Sequence, residues 1–253
     1  MRWLVVFIGL LFSVQLEPAF AQIELKDVNG DGQVKAVAIG DSITAGIGDG
    51  VASGVFVEEA PIIPGVLGYP GRVENFLGIL VDNKGVPGEI LTDGTAYRFA
   101  SAVSSSSPDY VFIMLGANDA IFRTDGGLYR AALQKLINIA DVLGVQVVLM
   151  TPPPTCCERA SLAPYIQVYG SEVRELAAVN EISYVDVQVG FQQVCPRSSS
   201  CSLLNQPEGL HPNTAGYDAI GRMIAEAVLG ESLPVENENS TNGDTAEGDE
   251  GNA

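Results

Sequence analysis

Short unbroken apolar runs alternate along this chain with longer stretches in which apolar residues recur every three or four positions. The run at 34–39 predicts a first strand. The run at 110–115 has no polar alternation, as expected of a strand buried on both faces of a parallel sheet. Runs at 80–82, 145–150 and 182–187 predict three more strands. Between them the helical period appears. A helix is expected over 68–80, with Pro70 tolerated in its first turn, and another over 92–103, capped by Thr92. A third spans 127–143, where Leu128, Ala132, Leu136, Ile139 and Leu143 form one stripe. A fourth covers 164–179. The last covers 214–229, with Tyr217, Ile220, Ile224 and Val228 on one face and Gly230 as its stop. Alternation of this kind predicts a three-layer α/β/α sandwich around a mainly parallel sheet of about five strands.

The regions outside this pattern divide the chain. Residues 1–21 have the form of an export signal: Arg2, an apolar stretch over 4–14 too short to span a bilayer, and the small-x-small site Ala19-Phe20-Ala21. Cleavage near Ala21 predicts an exported, periplasmic or extracellular protein with no integral membrane association. Residues 22–33 form an N-terminal segment, 34–230 the folded domain, and 231–253 an acidic tail with the composition of a disordered segment. Within the domain, 45–68 is a glycine-rich loop containing Phe56, Ile62, Ile63 and Leu67, a mixture that leans toward an apolar acyl group. Loops of this length in compact domains are often functional.

Composition adds three constraints. A net charge of −18 disfavours nucleic acid and anionic membrane surfaces as partners. Export permits disulfides, and Cys156, Cys157, Cys195 and Cys201 form an even set. Neighbouring cysteines point apart in extended chain, so two links from Cys156 and Cys157 to Cys195 and Cys201 are favoured over a local Cys195–Cys201 loop. Such links would tether the loop after 194 to the body of the sheet. The spacing does not suit zinc. Asp27, Asn29 and Asp31 match the opening of a calcium loop, but its twelfth position is Ala38, so a plain Asn/Asp/Gly turn is preferred to a calcium site.

Candidate chemistry lies just past the predicted strands. Ser42 follows the first, Gly88 the second and Asn118 the third, and in a parallel sheet those ends lie side by side. A serine hydroxyl needs a base to become a useful nucleophile, and the chain has one histidine, His211. Glu208, three residues earlier, can reach its Nδ1 and leave Nε2 facing the serine. The motif Gly-x-Ser-x-Gly is absent, which argues against the α/β-hydrolase route to similar chemistry.

Gly40-Asp41-Ser42-Ile43-Thr44, the Gly88 turn, Gly116-Ala117-Asn118-Asp119 and Gly209-Leu210-His211-Pro212-Asn213 resemble, in order, the four sequence blocks of the SGNH, or GDSL, hydrolase family. The resemblance covers roughly 34–229. It implies a flavodoxin-like fold and an ester hydrolase working through an acyl-enzyme, without metal or organic cofactor. Ser42 would attack, and His211 would act as base and then acid. Ser42 N–H, Gly88 N–H and the Asn118 amide would form the oxyanion hole. One position departs from the family: Glu208 stands where aspartate is usual, and its role as orienting acid is expected to survive the extra methylene. The expected substrate is a small-molecule, glycan or lipid ester, cleaved by a short-chain acyl or aryl esterase or a lysophospholipase/thioesterase-like enzyme. A polysaccharide O-deacetylase, or a non-catalytic carbohydrate-binding module on the same fold, is the alternative.

Overall fold

Five parallel strands form the centre of the fold in a computed structural model that describes residues 23–50, 68–197 and 199–233. They are β1 (Lys35–Gly40), β2 (Leu80–Gly85), β3 (Tyr110–Met114), β4 (Gln146–Met150) and β5 (Ser183–Val185), in the order β2-β1-β3-β4-β5. β1 and β3 lie at the centre, and every residue of β3 is buried. Gly40 pairs with Gly85 on one side and with Met114 on the other, so three strands end level with one another.

Right-handed crossovers dictate the layers. The step from β1 to β2 runs in the opposite direction to the steps from β2 through β5, so its helix lies on the opposite face. That helix, α2 (Gly68–Leu77), packs against α8 (Thr214–Leu229), and α7 (Val187–Val194) joins α8. On the other face, α5 (Gly126–Leu143) packs between α3 (Ala96–Ser106) and α6 (Ala163–Asn180). Two short helices at the C-terminal edge, α1 (Ser42–Ala45) and α4 (Ala117–Ile121), complete the set. α8 buries Tyr217, Ile220, Ile224 and Val228 and ends at Gly230, in the left-handed conformation at φ +70°.

Several expectations change. α5 buries Tyr129, Leu133, Leu136, Ile137 and Ala140, while Leu128 and Leu143 are exposed. A 3.6-residue period fits two adjoining faces, and packing against α3 and α6 selects between them. The fifth strand is short, because Asp186 accepts a hydrogen bond from Val189 N and starts α7, whose Val187 and Phe191 enter the core. Thr92 does not cap a helix. It lies inside a π-helical turn, Leu91–Thr95, that runs into α3.

The calcium-like turn has its oxygens engaged. Asp27 accepts from Gly30, Asp31 and Gly32 N, Asn29 accepts from Asp31 N, and Asp31 accepts from Gln33 N and pairs with Lys35. Ala38 is buried inside β1. Residues 1–21, expected to be an export signal, residues 51–67 of the glycine-rich loop and the tail from 234 lie outside the described residues.

Candidate active site

Ser42 stands where β1 stops and α1 begins. Asp41 caps that helix by accepting from Ile43 N at 2.9 Å, which leaves Ser42 N as a first-turn amide without an intrahelical acceptor. Gly40 and Gly85 have no room for a Cβ. One would meet Thr44 and the Met114 carbonyl, the other the Ala45 backbone. Two glycines at paired positions therefore let α1 sit directly on the strand ends, and Ser42 is only 8% exposed.

The facing group comes from the far end of the sequence. Ser42 Oγ lies 2.9 Å from His211 Nε2, and His211 Nδ1 lies 2.9 Å from Glu208 Oε1. The second carboxylate oxygen, Oε2, accepts from Leu210 N at 3.0 Å and His211 N at 2.9 Å. Gly209, at φ +80°, makes the turn between acid and base. Burial pushes the Glu208 carboxyl up, but the hydrogen bond and charge of His211 and the two amides outweigh it and hold the group below its ordinary value. Glutamate thus reaches the imidazole and satisfies its own loop together.

That loop is held by groups the sequence did not signal. Asn205 N donates to His211 O at 2.9 Å, Gly209 N donates to Asn205 O at 2.7 Å, and Asn205 Nδ2 donates to Pro212 O at 3.0 Å and Gly48 O at 3.3 Å. Gly48 lies just beyond α1, so Asn205 ties the histidine segment to the serine segment. No motif or period marks such a residue in advance.

The cysteines pair differently from the favoured expectation. Cys156 bonds to Cys157 and Cys195 to Cys201, with Cα separations of 3.8 and 5.0 Å. Both bridges are local. Cys157 adopts φ +55°, which breaks the extended conformation that would point adjacent side chains apart, and the 195–201 segment turns back on itself. Tethering of the histidine loop to the sheet edge is supplied by the backbone instead. Cys156 N donates to Gly209 O at 3.0 Å and Glu158 N to Pro207 O at 3.1 Å.

Gly88 and Asn118 meet through a shared turn. Val86 N donates to Gly40 O at 2.9 Å, which fastens the turn beside the strand that delivers Ser42. Gly88 is at φ +80°. The Asn118 amide, on α4, donates to Glu89 O at 2.9 Å. An amide nitrogen carries two hydrogens, so this bond orients the group and leaves a second donor. A hydroxyl facing an imidazole that is backed by a carboxylate can attack an acyl carbon, and N–H donors gathered at the same sheet edge are the groups that can stabilise the resulting tetrahedral intermediate.

Burial raises the Asp41 carboxyl to about 7, against the opposing hydrogen bond from Ile43 N. The folded chain therefore keeps this proton up to about pH 7, while an unfolded chain releases it near pH 4. Between those values the native state binds more protons, so stability falls as pH rises and levels off above the folded pKa. Asp41→Asn keeps an oxygen for Ile43 N and carries no charge. Relative to wild type it should gain about 2 to 3 kcal/mol between pH 5 and pH 8, read as a growing difference in melting temperature. An equal difference at both pH values would refute this.

Comparison with known proteins bears on the family and the fold. The model of the GDSL-like lipase/acylhydrolase family matches residues 38–219. An acetylxylan esterase from Geobacillus stearothermophilus is 30% identical over 212 residues, covering 79% of this chain and 95% of that protein. A solved catalytic mutant of Axe2, an acetylxylan esterase from the same organism, superposes with a TM-score of 0.62 at 26% identity, covering 82% of this chain and 96% of that one. LAE5, an alpha/beta hydrolase enzyme from the metagenome of Lake Arreo, Spain, superposes with a TM-score of 0.62 at 25% identity, over 77% of this chain and 94% of that one.

Proposed function

The chain belongs to the GDSL-like lipase/acylhydrolase family, and on that premise we propose that it is an exported serine esterase that removes short acyl groups from carbohydrate esters. Carboxylic ester hydrolysis is the family's chemistry. The observation that carries the catalytic reading is the unbroken relay from Ser42 Oγ through His211 to Glu208, with both steps at 2.9 Å. Ser42 attacks the ester carbonyl while His211 Nε2 takes its proton, and Glu208 holds the ring with its Nδ1 proton in place. Charge on the carbonyl oxygen falls to Ser42 N–H, Gly88 N–H and the Asn118 amide. His211 then protonates the leaving alcohol, and water, deprotonated by the same ring, releases the acid from Ser42.

The substrate reading rests on the relative. An acetylxylan esterase aligned over 95% of its length favours O-deacetylation of a polysaccharide or oligosaccharide over the lysophospholipase and thioesterase readings. One catalytic mutant of Axe2 replaces a serine and another an aspartate, and Ser42 and Glu208 are the residues offered for those parts here. Residues 1–21 serve as the export signal and 231–253 as an acidic tail. Two disulfides suit an oxidising compartment. Among the described residues no helix is long and apolar enough to cross a membrane.

A fluorophosphonate probe and a substrate panel test the reading together. Wild type should be labelled and Ser42→Ala should not. Acetate should be released from acetylated xylooligosaccharides with higher kcat/KM than octanoate from its p-nitrophenyl ester. Folded wild type that takes no label would favour the non-catalytic carbohydrate module. Preference for the long acyl chain would point to a lipid substrate.

A further inference from the structure

Gly88, the oxyanion donor in the proposed reading, lies on a turn with little packing of its own. Val86, Pro87 and Gly88 are exposed, so the position of the Gly88 N–H depends on how the chain on either side is fastened. Upstream, Val86 N is bound to Gly40 O. Downstream, the chain enters the π-helical turn at Leu91, and the first amides of a helical turn have no acceptor within it. Ile90, at the cap position, offers no side-chain acceptor.

The acceptor comes from another element. Asp119, 0% exposed, takes Leu91 N on Oδ2 at 2.9 Å, and on Oδ1 it takes Thr92 N at 3.2 Å and Thr92 Oγ1 at 3.0 Å. Its neighbour Asn118 holds Glu89 O at 2.9 Å. Consecutive residues of α4 therefore grip the same loop at two points. Arg98 also binds both oxygens of the Glu89 carboxylate and donates to Gly40 O at 3.3 Å.

We infer that Asp119 is a positioning residue that holds the Gly88–Thr92 segment so that the Gly88 N–H and the Asn118 amide face one point. This deepens the proposed function and rests on its oxyanion assignment. A buried carboxylate with three donors on a neighbouring loop fixes that loop more rigidly than a local serine or threonine cap could, because both of its oxygens are used and its charge strengthens each bond. Its hydrogen bonds go to Leu91 and Thr92 and none joins it to Ser42, His211 or Glu208, so its effect should separate from theirs.

Asp119→Asn preserves shape but turns one acceptor into a donor facing an amide N–H. The expected result is a kcat lower by about 10 to 10²-fold, less than deletion of an oxyanion donor, which costs about 10² to 10³-fold. KM should stay within about twofold and the pH midpoint of kcat/KM should not move. In an Asn118→Ala background the same change should cost less than in wild type, since both residues act through one loop. Amide exchange at Leu91 and Thr92 should accelerate in Asp119→Asn, and equally when Ser42 is alanine. Should Asp119→Asn fail to fold, Thr92→Val removes one of the three bonds, and a kcat lowered severalfold at unchanged KM is expected. A kcat within twofold of wild type, undiminished loss in the Asn118→Ala background, or unchanged exchange at Leu91 and Thr92 overturns the inference. Were wild type inactive on every ester, the proposed function would fall, while the exchange measurement would still decide whether Asp119 holds this segment.

Discussion

Ser42→Ala should lower kcat/KM for ester hydrolysis by a factor on the order of 10⁶ while leaving the fold intact. The hydroxyl's recorded partner is His211, and the cap of α1 is made by Asp41 rather than by the serine. Alanine is favourable in a helix, so the melting temperature should stay close to that of wild type. The activity that persists would come from the oxyanion donors and substrate binding, typically about 10³ to 10⁴-fold over water. The chain has a single histidine, and among the described residues Ser42 is the hydroxyl hydrogen-bonded to its Nε2. A correctly folded Ser42→Ala protein retaining a tenth of wild-type turnover would place the nucleophile elsewhere.

Glu208→Gln should cost about 10⁴-fold in kcat, for a reason legible in the hydrogen bonds. Glu208 Oε2 accepts from two backbone amides, Leu210 N and His211 N, so a glutamine must direct its oxygen there. Its NH₂ then faces His211 Nδ1, which becomes an acceptor. The ring proton moves to Nε2, the nitrogen that must be bare to take the serine proton. Glu208→Asp keeps the charge but is one methylene short of serving ring and loop together. A displacement of about 1 Å costs about 10²-fold, so it should fall between wild type and the glutamine variant. Kinetics beside thermal melts separate this from unfolding. A glutamine variant within tenfold of wild type would remove Glu208 from the relay. Stability carries its own signature. A carboxyl held below its ordinary value contributes above that value, and the contribution is lost as pH falls through the lowered one.

Arg98 shows where residue-by-residue reading stops. In the sequence it is an unremarked cation on a helix. In the fold it joins Glu89 to the end of β1 and so connects the Gly88 turn to the strand carrying Ser42. Asp119 stood in view inside Gly116-Ala117-Asn118-Asp119, yet its part became visible only when the distant Leu91 and Thr92 amides were found on it. Thr92 was expected to cap its own helix, and the buried carboxylate took that task.

The strands at 34–39 and 110–115, the last helix and the order of layers follow from the amino-acid order alone, because burial on two faces demands unbroken apolar runs and burial on one face demands a period. The same order determined that Ser42, Gly88 and Asn118 would gather at one edge, since parallel strands place their C-terminal ends together. Tertiary structure alone decided which face of α5 is buried, that residues after Asp186 turn into a helix, which cysteines pair, and that Asn205 and Asp119 hold the loops of the site. Those outcomes depend on contacts between segments far apart in the chain, where periodicity and local propensity carry no information.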